Sequence, residues 1–508
     1  MTQTPTLVEV QAQPQYEITD EDRERQKRIA DAWQAYDGDL PKPLKPMEDE
    51  ADDNILDNCC APVVNTIDDF LFGKELEISV EAGAPQAAQD FLNTVWGKKE
   101  TRLPLLQDVG MNGSIAGRGF MRIVPSKDNP RNPLKKKKYR LIAPDPSIVY
   151  VETAPQDCDT VLLYCTQYSA PSKQDNGRPL QVYYREEITR IDPDGNASRD
   201  MADDDDTWRI QHWTQVGSPG MQPKNSNWTP AGAPYIWPYP FAPLFSCKNL
   251  PRPNKFWATP DVTADLIGLN NALNLVMSCI NRTGKILGNP LIYSVGMGNT
   301  RIDRAPGTIT NLPTLDGKIV AVNFTTDIAN MLKVAADLRS SMDERSSVPG
   351  VATGRIATMP RGNLSGIAIE LLFMSLLKLI EKKQQLYGNL IIEVSKALLV
   401  LAGFSANIDI TLAWQSPLPH DDLSSVQTAI SKRELNISET TLQRELGYDP
   451  DEEARLSDAE DARKLAKAQA MADTFPPAQL GAPALPGQKY PIPGTPAPQA
   501  APQQGGKP

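Results

Sequence analysis

The chain has 508 residues, 40% of them hydrophobic and 23% charged, with a formal net charge of −11. That is the composition of a globular protein of two to four domains with enough surface to bury a core. The acidity excludes a surface built to grip nucleic acid tightly and non-specifically, which would be basic; a protein that lets DNA pass is still allowed.

Cys59, Cys60, Cys158, Cys165, Cys247 and Cys279 form no CxxC pair, and His212 and His420 are far apart. This argues against a zinc ligand set and for free thiols in a reducing cytoplasm. Met1 to Gln15 have no basic or apolar region of a signal peptide, and none is expected. The most apolar segments, Gly366 to Ile380 and Leu390 to Phe404, are interrupted by Glu370, Lys378, Glu393 and Lys396. They are too short and too charged to span a membrane.

Residues 1–17 are polar and predicted to be disordered. Thr19 predicts a helix cap, with Asp22 three residues on, and the helix runs through Trp33 and Tyr36 to Gly38. After a linker at Pro41 to Pro46, Asn54 to Phe72 predicts a second helix, carrying Ile55, Val63, Val64, Ile67, Phe70 and Leu71. Leu76 to Val80 alternates as a strand. Helices follow at Pro85 to Trp96 and Leu103 to Ile115. Gly117, Arg118 and Gly119 turn into a strand at Phe120 to Val124, and Lys135 to Lys138 reads as a basic hairpin tip.

Short strands are predicted at Arg140 to Ile142, Ile148 to Glu152, Val161 to Tyr168, Leu180 to Arg185, Ile188 to Ile191 and Trp208 to Trp213. Together they make an antiparallel β-rich block over about residues 139–215. Asp203 to Asp206 reads as a solvated loop tip, since the glycine and distal glutamate of a calcium loop are missing. Between Gly217 and Pro243, Tyr235, Trp237, Tyr239 and Phe241 alternate around prolines. An extended segment covering a hydrophobic edge is favoured there over an aromatic platform for single strands.

Two heptad-spaced helices come next. In Thr259 to Arg282, Val262, Leu266, Leu269, Leu273, Val276 and Ile280 form one narrow seam. In Thr326 to Ser347, Ile328, Met331, Ala335, Leu338 and Met342 form another. Strand-like pieces at Leu291 to Val295, Thr308 to Leu312 and Ile319 to Asn323 lie between them. A Pro/Gly loop, Pro349 to Asn363, leads into a helix from Ser365 to about Ala402. Its polar residues, Glu370, Lys378, Lys382, Gln385, Asn389, Glu393 and Lys396, fall on one stripe, which predicts a largely buried helix. Ile408 to Trp414 alternates as a strand. Val426 to Arg433, Ser438 to Leu446 and Glu452 to Ala472 read as short charged helices. Between Ala406 and Asp473 acidic groups outnumber basic ones two to one. The Pro-rich stretch 475–508 reads as a disordered tail.

Recognisable catalytic motifs are absent from the sequence. Gly284-Lys285 lacks the upstream glycine of a phosphate loop, Cys279 standing there. Gly113, Gly117 and Gly119 lack the dinucleotide spacing, and neither GxSxG nor HExxH occurs. The carboxylate runs Asp68-Asp69, Asp421-Asp422 and Asp451-Glu452-Glu453 leave a metal-dependent nuclease as the enzymatic alternative. A structural protein without catalytic chemistry is the other class left open.

Several segments, taken in order, resemble the portal, or head–tail connector, proteins of tailed double-stranded DNA bacteriophages. Asn58 with Val63-Val64-Asn65-Thr66-Ile67 and Phe70-Leu71-Phe72-Gly73 is similar to the family's helix before a strand. Ala35-Tyr36-Asp37-Gly38 lies upstream. Ala116-Gly117-Arg118-Gly119-Phe120 is similar to its small-residue turn. Leu364-Ser365-Gly366-Ile367-Ala368 resembles the start of the helix after the tunnel loop. Trp414, Pro417 and Asp421, then Ser438-Glu439-Thr440-Thr441-Leu442, resemble the C-terminal section. One departure is that Phe241-Ala242-Pro243-Leu244 stands where a histidine-containing approach to the first stem helix is usual.

The resemblance implies a non-enzymatic α+β subunit without cofactors, in a ring of twelve. Its parts would be a wing (18–258), stem helices (259–285 and 325–348), a clip (286–324) and a tunnel loop (349–364). A long helix and return strand (365–420) and a helical crown (421–474) would follow. Thr353, Arg355, Thr358, Met359, Arg361 and Asn363 would face DNA in the tunnel loop. Lys333, Asp337, Arg339, Asp343 and Glu344 would line the stem channel. Arg301, Asp303, Arg304 and Lys318 of the clip would dock the terminase large subunit and head–tail adaptor or tail proteins. The major capsid or scaffolding protein would be a further partner, the location the virion after assembly in the host cytoplasm, with no membrane involved.

Overall fold

A computed structural model describes residues 13–45, 52–81, 83–97, 99–125, 139–173, 179–198, 206–218, 223, 227–288, 292–295, 318–321, 328–355, 366–417, 431–433, 438, 442, 453–458 and 460–464. The chain divides into two compact units, Met1–Pro419 and His420–Pro508. In the second, residues 431–433, 453–458 and 460–464 are helical. The expected tail, the tip at Lys135 to Lys138 and most of the expected crown lie outside the described residues.

The first unit opens with α1, Asp20–Asp37. The predicted capping box is present: the Asp22 N–H donates to Thr19 Oγ1 at 3.2 Å, and the Thr19 N–H to Asp22 Oδ2 at 3.1 Å. Such a box satisfies amides that the first turn would otherwise leave orphaned. The next helix, α2, begins at Cys60 and ends at Phe72, not at the expected Asn54. Asn58 Oδ1 accepts the N–H groups of Cys60 and Ala61 at 3.0 and 3.2 Å, which sets the start. The amides before it are held by another helix.

Strand β1, Leu76–Val80, pairs antiparallel with β13, Ile410–Trp414, which brings the last strand of the first unit back beside α2. Helices α3, Gln86–Trp96, and α4, Lys99–Ala116, follow. Helix α4 starts earlier than predicted and carries Pro104 inside. Gly117 has φ +84°, and a Cβ there would lie 2.3 Å from the Ala258 carbonyl oxygen, so only glycine turns the chain into β2, Arg118–Pro125.

Strand β2 sits between β3, Tyr139–Ile142, and β10, Leu244–Lys248. The predicted β-rich block is an antiparallel sheet ordered β4 (Val149–Thr153), β5 (Val161–Lys173), β6 (Pro179–Ile191), β7 (Thr207–Gly217) and β8 (Thr229–Pro230). Strand β9, Tyr235–Trp237, also pairs with β7. The two strands expected at 180–191 are one, β6, paired along its length with both neighbours. Trp237 is buried with Phe120, Ile188, Ile210 and Leu244, so the aromatic segment does cover a hydrophobic edge. Asp206 is buried and lies 3.0 Å from Arg190 Nε, where a solvated tip was expected; its partner neutralises it on the sheet.

Helix α5, Ala264–Gly288, starts and ends later than predicted. Strands β11, Ile292–Val295, and β12, Lys318–Ala321, form an antiparallel ribbon, and α6, Ile328–Ser346, returns along α5. The pair is antiparallel: Asp265, early in α5, meets Arg345, late in α6, at 3.1 Å. Helix α7, Gly366–Leu401, spans 36 residues, roughly 54 Å at 1.5 Å per residue. Its buried residues, Leu376, Ile380, Lys383, Tyr387, Leu390 and Val394, recur at three and four, as helix packing on one face requires. The burial is less complete than predicted, since Leu371 and Met374 in its first half are exposed. Among the described residues no helix is long and apolar enough to cross a membrane.

Candidate functional site

The α5–α6 pair and the turn after it hold most of the described residues singled out above. On α6 the Ala335 and Met342 seam is buried, with Leu338 half-buried beside it. At 100° per residue, Lys333, Asp337, Ser340 and Glu344 fall within about 60° of one another on the opposite side. All four are exposed. This free edge carries one cation and two anions, so it offers no continuous cationic track to a phosphate backbone.

Arg339 and Asp343 lie off that edge. Arg339 Nη2 is 2.5 Å from Asp57 Oδ2, and the Asp343 carboxylate pairs with Arg355. Burial pushes the Asp343 carboxyl up, with the Arg355 charge opposing. Thr353 and Arg355 belong to a compact turn: the Arg355 N–H donates to the Gly350 carbonyl at 2.8 Å and Thr353 Oγ1 to the same oxygen at 3.1 Å. In this conformation the Arg355 guanidinium ties the turn to α6. Lys318 lies in β12, opposite Val295. Thr358, Met359, Arg361, Asn363, Arg301, Asp303 and Arg304 lie outside the described residues.

The structure adds two sets of residues. The first is a ladder on α5. Residues 52–59 lie extended along it, and the N–H groups of Ile55, Asp57 and Cys59 donate to Ser278 Oγ, Asn274 Oδ1 and Asn270 Oδ1, each at 2.9 Å. The spacings match because two extended residues advance about 6.7 Å and four helical residues about 6 Å. At the far end Arg282 Nε and Nη2 donate to the two Asp53 carboxylate oxygens, at 2.7 and 3.0 Å. Of the expected heptad seam, Val262, Leu266 and Leu273 are buried but Leu269, Val276 and Ile280 only half-buried, while Asn270, Asn274 and Ser278 are fully buried. The polar triplet at i, i+4 and i+8 was the available signal.

The second set is a buried junction around Lys383 of α7. Its Nζ donates to Asp261 Oδ2 at 2.5 Å, Asn249 Oδ1 at 2.7 Å and Ser114 Oγ at 3.3 Å. Tyr387 Oη donates to the same Asn249 oxygen at 3.0 Å. Gly113 makes room, since a Cβ there would fall 1.8 Å from the Tyr387 hydroxyl. The junction joins α4, the end of β10, the approach to α5, and α7. Sequence pattern placed Lys378 and Lys382 on the polar stripe and passed over Lys383, although it stands in line with Ile380 and Tyr387.

Asp68 and Asp69 of α2 and Asp108 of α4 line a groove between the two helices. Burial pushes the Asp68 carboxyl up to about 8, Asp69 and Asp108 adding to the shift and Lys383 opposing it. Among the described residues, Asp157, Cys158 and Asp159 are the only three metal-ligating side chains whose donor atoms lie mutually close. Asp157 there accepts from the Asp159 N–H and Thr160 Oγ1 as an ordinary turn.

Residues 16–467 match the family model described as "Phage portal protein, SPP1 Gp6-like". No curated protein matches. A solved chain described as "Virion of native gene transfer agent (GTA) particle" is similar with a TM-score of 0.42 and 12% identity, over 83% of this chain and 99% of that one. A likeness that distant carries no argument about function.

Proposed function

Because the chain belongs to the SPP1 Gp6-like family of phage portal proteins, we propose that about twelve copies close into a ring at one capsid vertex, through which double-stranded DNA is packaged and later ejected. The family is structural and not enzymatic. The observation that carries the proposal is the family match, which spans residues 16–467 and so takes in α5, α6 and α7.

The parts take these roles. The α5–α6 pair is the stem, and the β11–β12 ribbon belongs to the clip, where terminase large subunit and head–tail adaptor or tail proteins dock. The turn at 349–355 begins the tunnel loop. Helix α7 is the strut behind it, and the β1–β13 pairing returns the chain to the wing. The capsid or scaffolding protein meets the outer rim. In the virion the exposed edge of α6 would face the channel with Lys333, Asp337 and Glu344. An edge of mixed sign suits a conduit: a row of phosphate-binding cations would release counterions and hold the DNA in place. A head-to-tail interface that closes on itself uses both flanks of the helix pair and leaves no free end.

Negative-stain electron microscopy of the purified protein tests this. Annular particles with a central hole are expected; a well-behaved monomer at high concentration would refute the proposal.

A further inference from the structure

We propose that the outer edge of β13 docks a second copy of this chain, which adds its own β13 antiparallel across a two-fold axis at Leu412. The ladder between β1 and β13 fixes which backbone groups are free for this. Val80 stands opposite Ile410, Ile78 opposite Leu412 and Leu76 opposite Trp414. One step beyond, the Glu81 N–H donates to the Asp409 carbonyl at 3.0 Å. Bonded and non-bonded pairs alternate in an antiparallel ladder. Ser79 with Thr411 and Glu77 with Ala413 are therefore bonded pairs, and the N–H and C=O groups of the residues between them point away from the ladder.

The two edges differ in what meets those groups. On the β1 side Gln89 of α3 lies along the edge like a short strand: its Oε1 accepts the Val80 N–H at 2.8 Å, and its Nε2 donates to the Ile78 carbonyl at 2.9 Å. On the β13 side the outward N–H and C=O groups of Ile410, Leu412 and Trp414 have no partner among the described residues. Natural sheets guard such an edge with charges, prolines or bulges. Residues 410–414 hold no charge, proline or glycine, and their register with β1 is unbroken. A sheet of two strands is also marginal by itself, which favours a further strand.

The symmetry of the strand selects the occupant. With Leu412 opposite the second copy's Leu412, Ile410 meets Trp414, and every free group on both strands finds a partner. Asp409 falls opposite Gln415, so no like charges meet. Two sheets of two strands become one of four. A single strand pair buries well under the ~1,200 Å² of a stable complex, so the contact is weak and is read by trapping. A two-fold contact cannot join neighbours in a head-to-tail ring. It pairs free subunits or separate rings, and it does not depend on the channel reading.

The test oxidises the full chain carrying Thr411→Cys with Ala413→Cys, using copper phenanthroline, and separates it on a non-reducing gel. Both side chains are exposed on the outer face of the strand, so the variant is expected to fold. Across the two-fold axis residue 411 faces residue 413, with Cβ atoms about 5 Å apart, within disulfide reach. A covalent dimer that peptide mapping bridges between 411 and 413 is expected, at roughly ten-fold or greater yield than in either single variant, whose new thiol faces none. Gln415→Glu, which sets a carboxylate opposite Asp409, should lower the yield, and Gln415→Lys should not. Dimer no more abundant than in the single variants, from a chain whose far-ultraviolet circular dichroism matches the wild type, would overturn the proposal. So would a yield indifferent to Gln415→Glu.

Discussion

Lys383→Met probes the buried junction. The Lys383 side chain is fully buried and Asp261 is 4% exposed, so solvent cannot take over the role of the missing ammonium. Methionine is close to lysine's stem in length and fills the same channel through the core, so little of the effect is lost packing. What remains is an Asp261 carboxylate held only by Asn249 Nδ2 at 3.2 Å. Removing one member of a buried pair costs about 3–5 kcal/mol. Against a total stability of roughly 5–15 kcal/mol, that is a large share. Adding Asp261→Asn removes the stranded charge and should restore most of the loss. Urea unfolding of the wild type, both single variants and the double variant gives the cycle, with a coupling of ~2 kcal/mol or more expected. If Lys383→Met alone changes stability by less than about 1 kcal/mol, or the double variant is no better than Lys383→Met, the junction is not what joins these elements.

Asn274→Leu should leave the Asp57 amide without an acceptor inside the packed strap, costing about 1–3 kcal/mol. Hydrogen exchange at Asp57 should quicken more than at β6 amides. Gly113→Ala should lower the thermal midpoint sharply, because the new methyl meets the Tyr387 hydroxyl; Tyr387→Phe in the same chain should recover part of the drop. Thr19→Ala should cost about 1 kcal/mol by opening the capping box at α1, read as a parallel shift of the urea midpoint. Arg355→Ala with Arg361→Ala should leave rings intact by electron microscopy while lowering DNA packaged per particle. Normal packaging by that double variant would remove the contact role.

The parts of the fold that were legible in the sequence are those whose signal is local. Thr19 and Asp22 announce their helix three residues apart, and Leu76 to Val80 alternates because one face of β1 is buried. The start of α2 was not legible, because Ile55, Asp57 and Cys59 satisfy their amides on a helix more than two hundred residues away. No local rule announces such a partner. The split of β6 into two strands failed for a related reason. Arg185, Glu186 and Glu187 look like a charged turn, but Arg185 and Glu187 pair with each other at 2.7 Å in the buried face, and Glu186 pairs with Arg122 at 2.6 Å. Lys383 was missed because a lysine on an apolar stripe reads as an interruption until its partners from three other elements are in view.

The α5 ladder also bears on what the proposed stem helix needs. A seam of leucines is attractive but degenerate, since a helix can slide by one repeat and find much the same packing. Asn270, Asn274 and Ser278 receive three consecutive alternate amides, and a shift along the axis would break all three bonds together. Buried polar groups are well attested as fixing register in helical assemblies, at some cost in stability. Arg282 adds a bidentate stop at one end and Arg339 on Asp57 ties in α6. The strap therefore fixes the helix pair against axial slip, the displacement that DNA would impose in the proposed channel role. The expected consequence is separable from stability: Asn270→Leu with Asn274→Leu should loosen position more than it loosens packing. Paired spin labels on residues 333 and 77 would show it as a broadened distance distribution at a temperature where the far-ultraviolet circular dichroism is unchanged. An unaltered distribution would mean that the apolar contacts alone set the register.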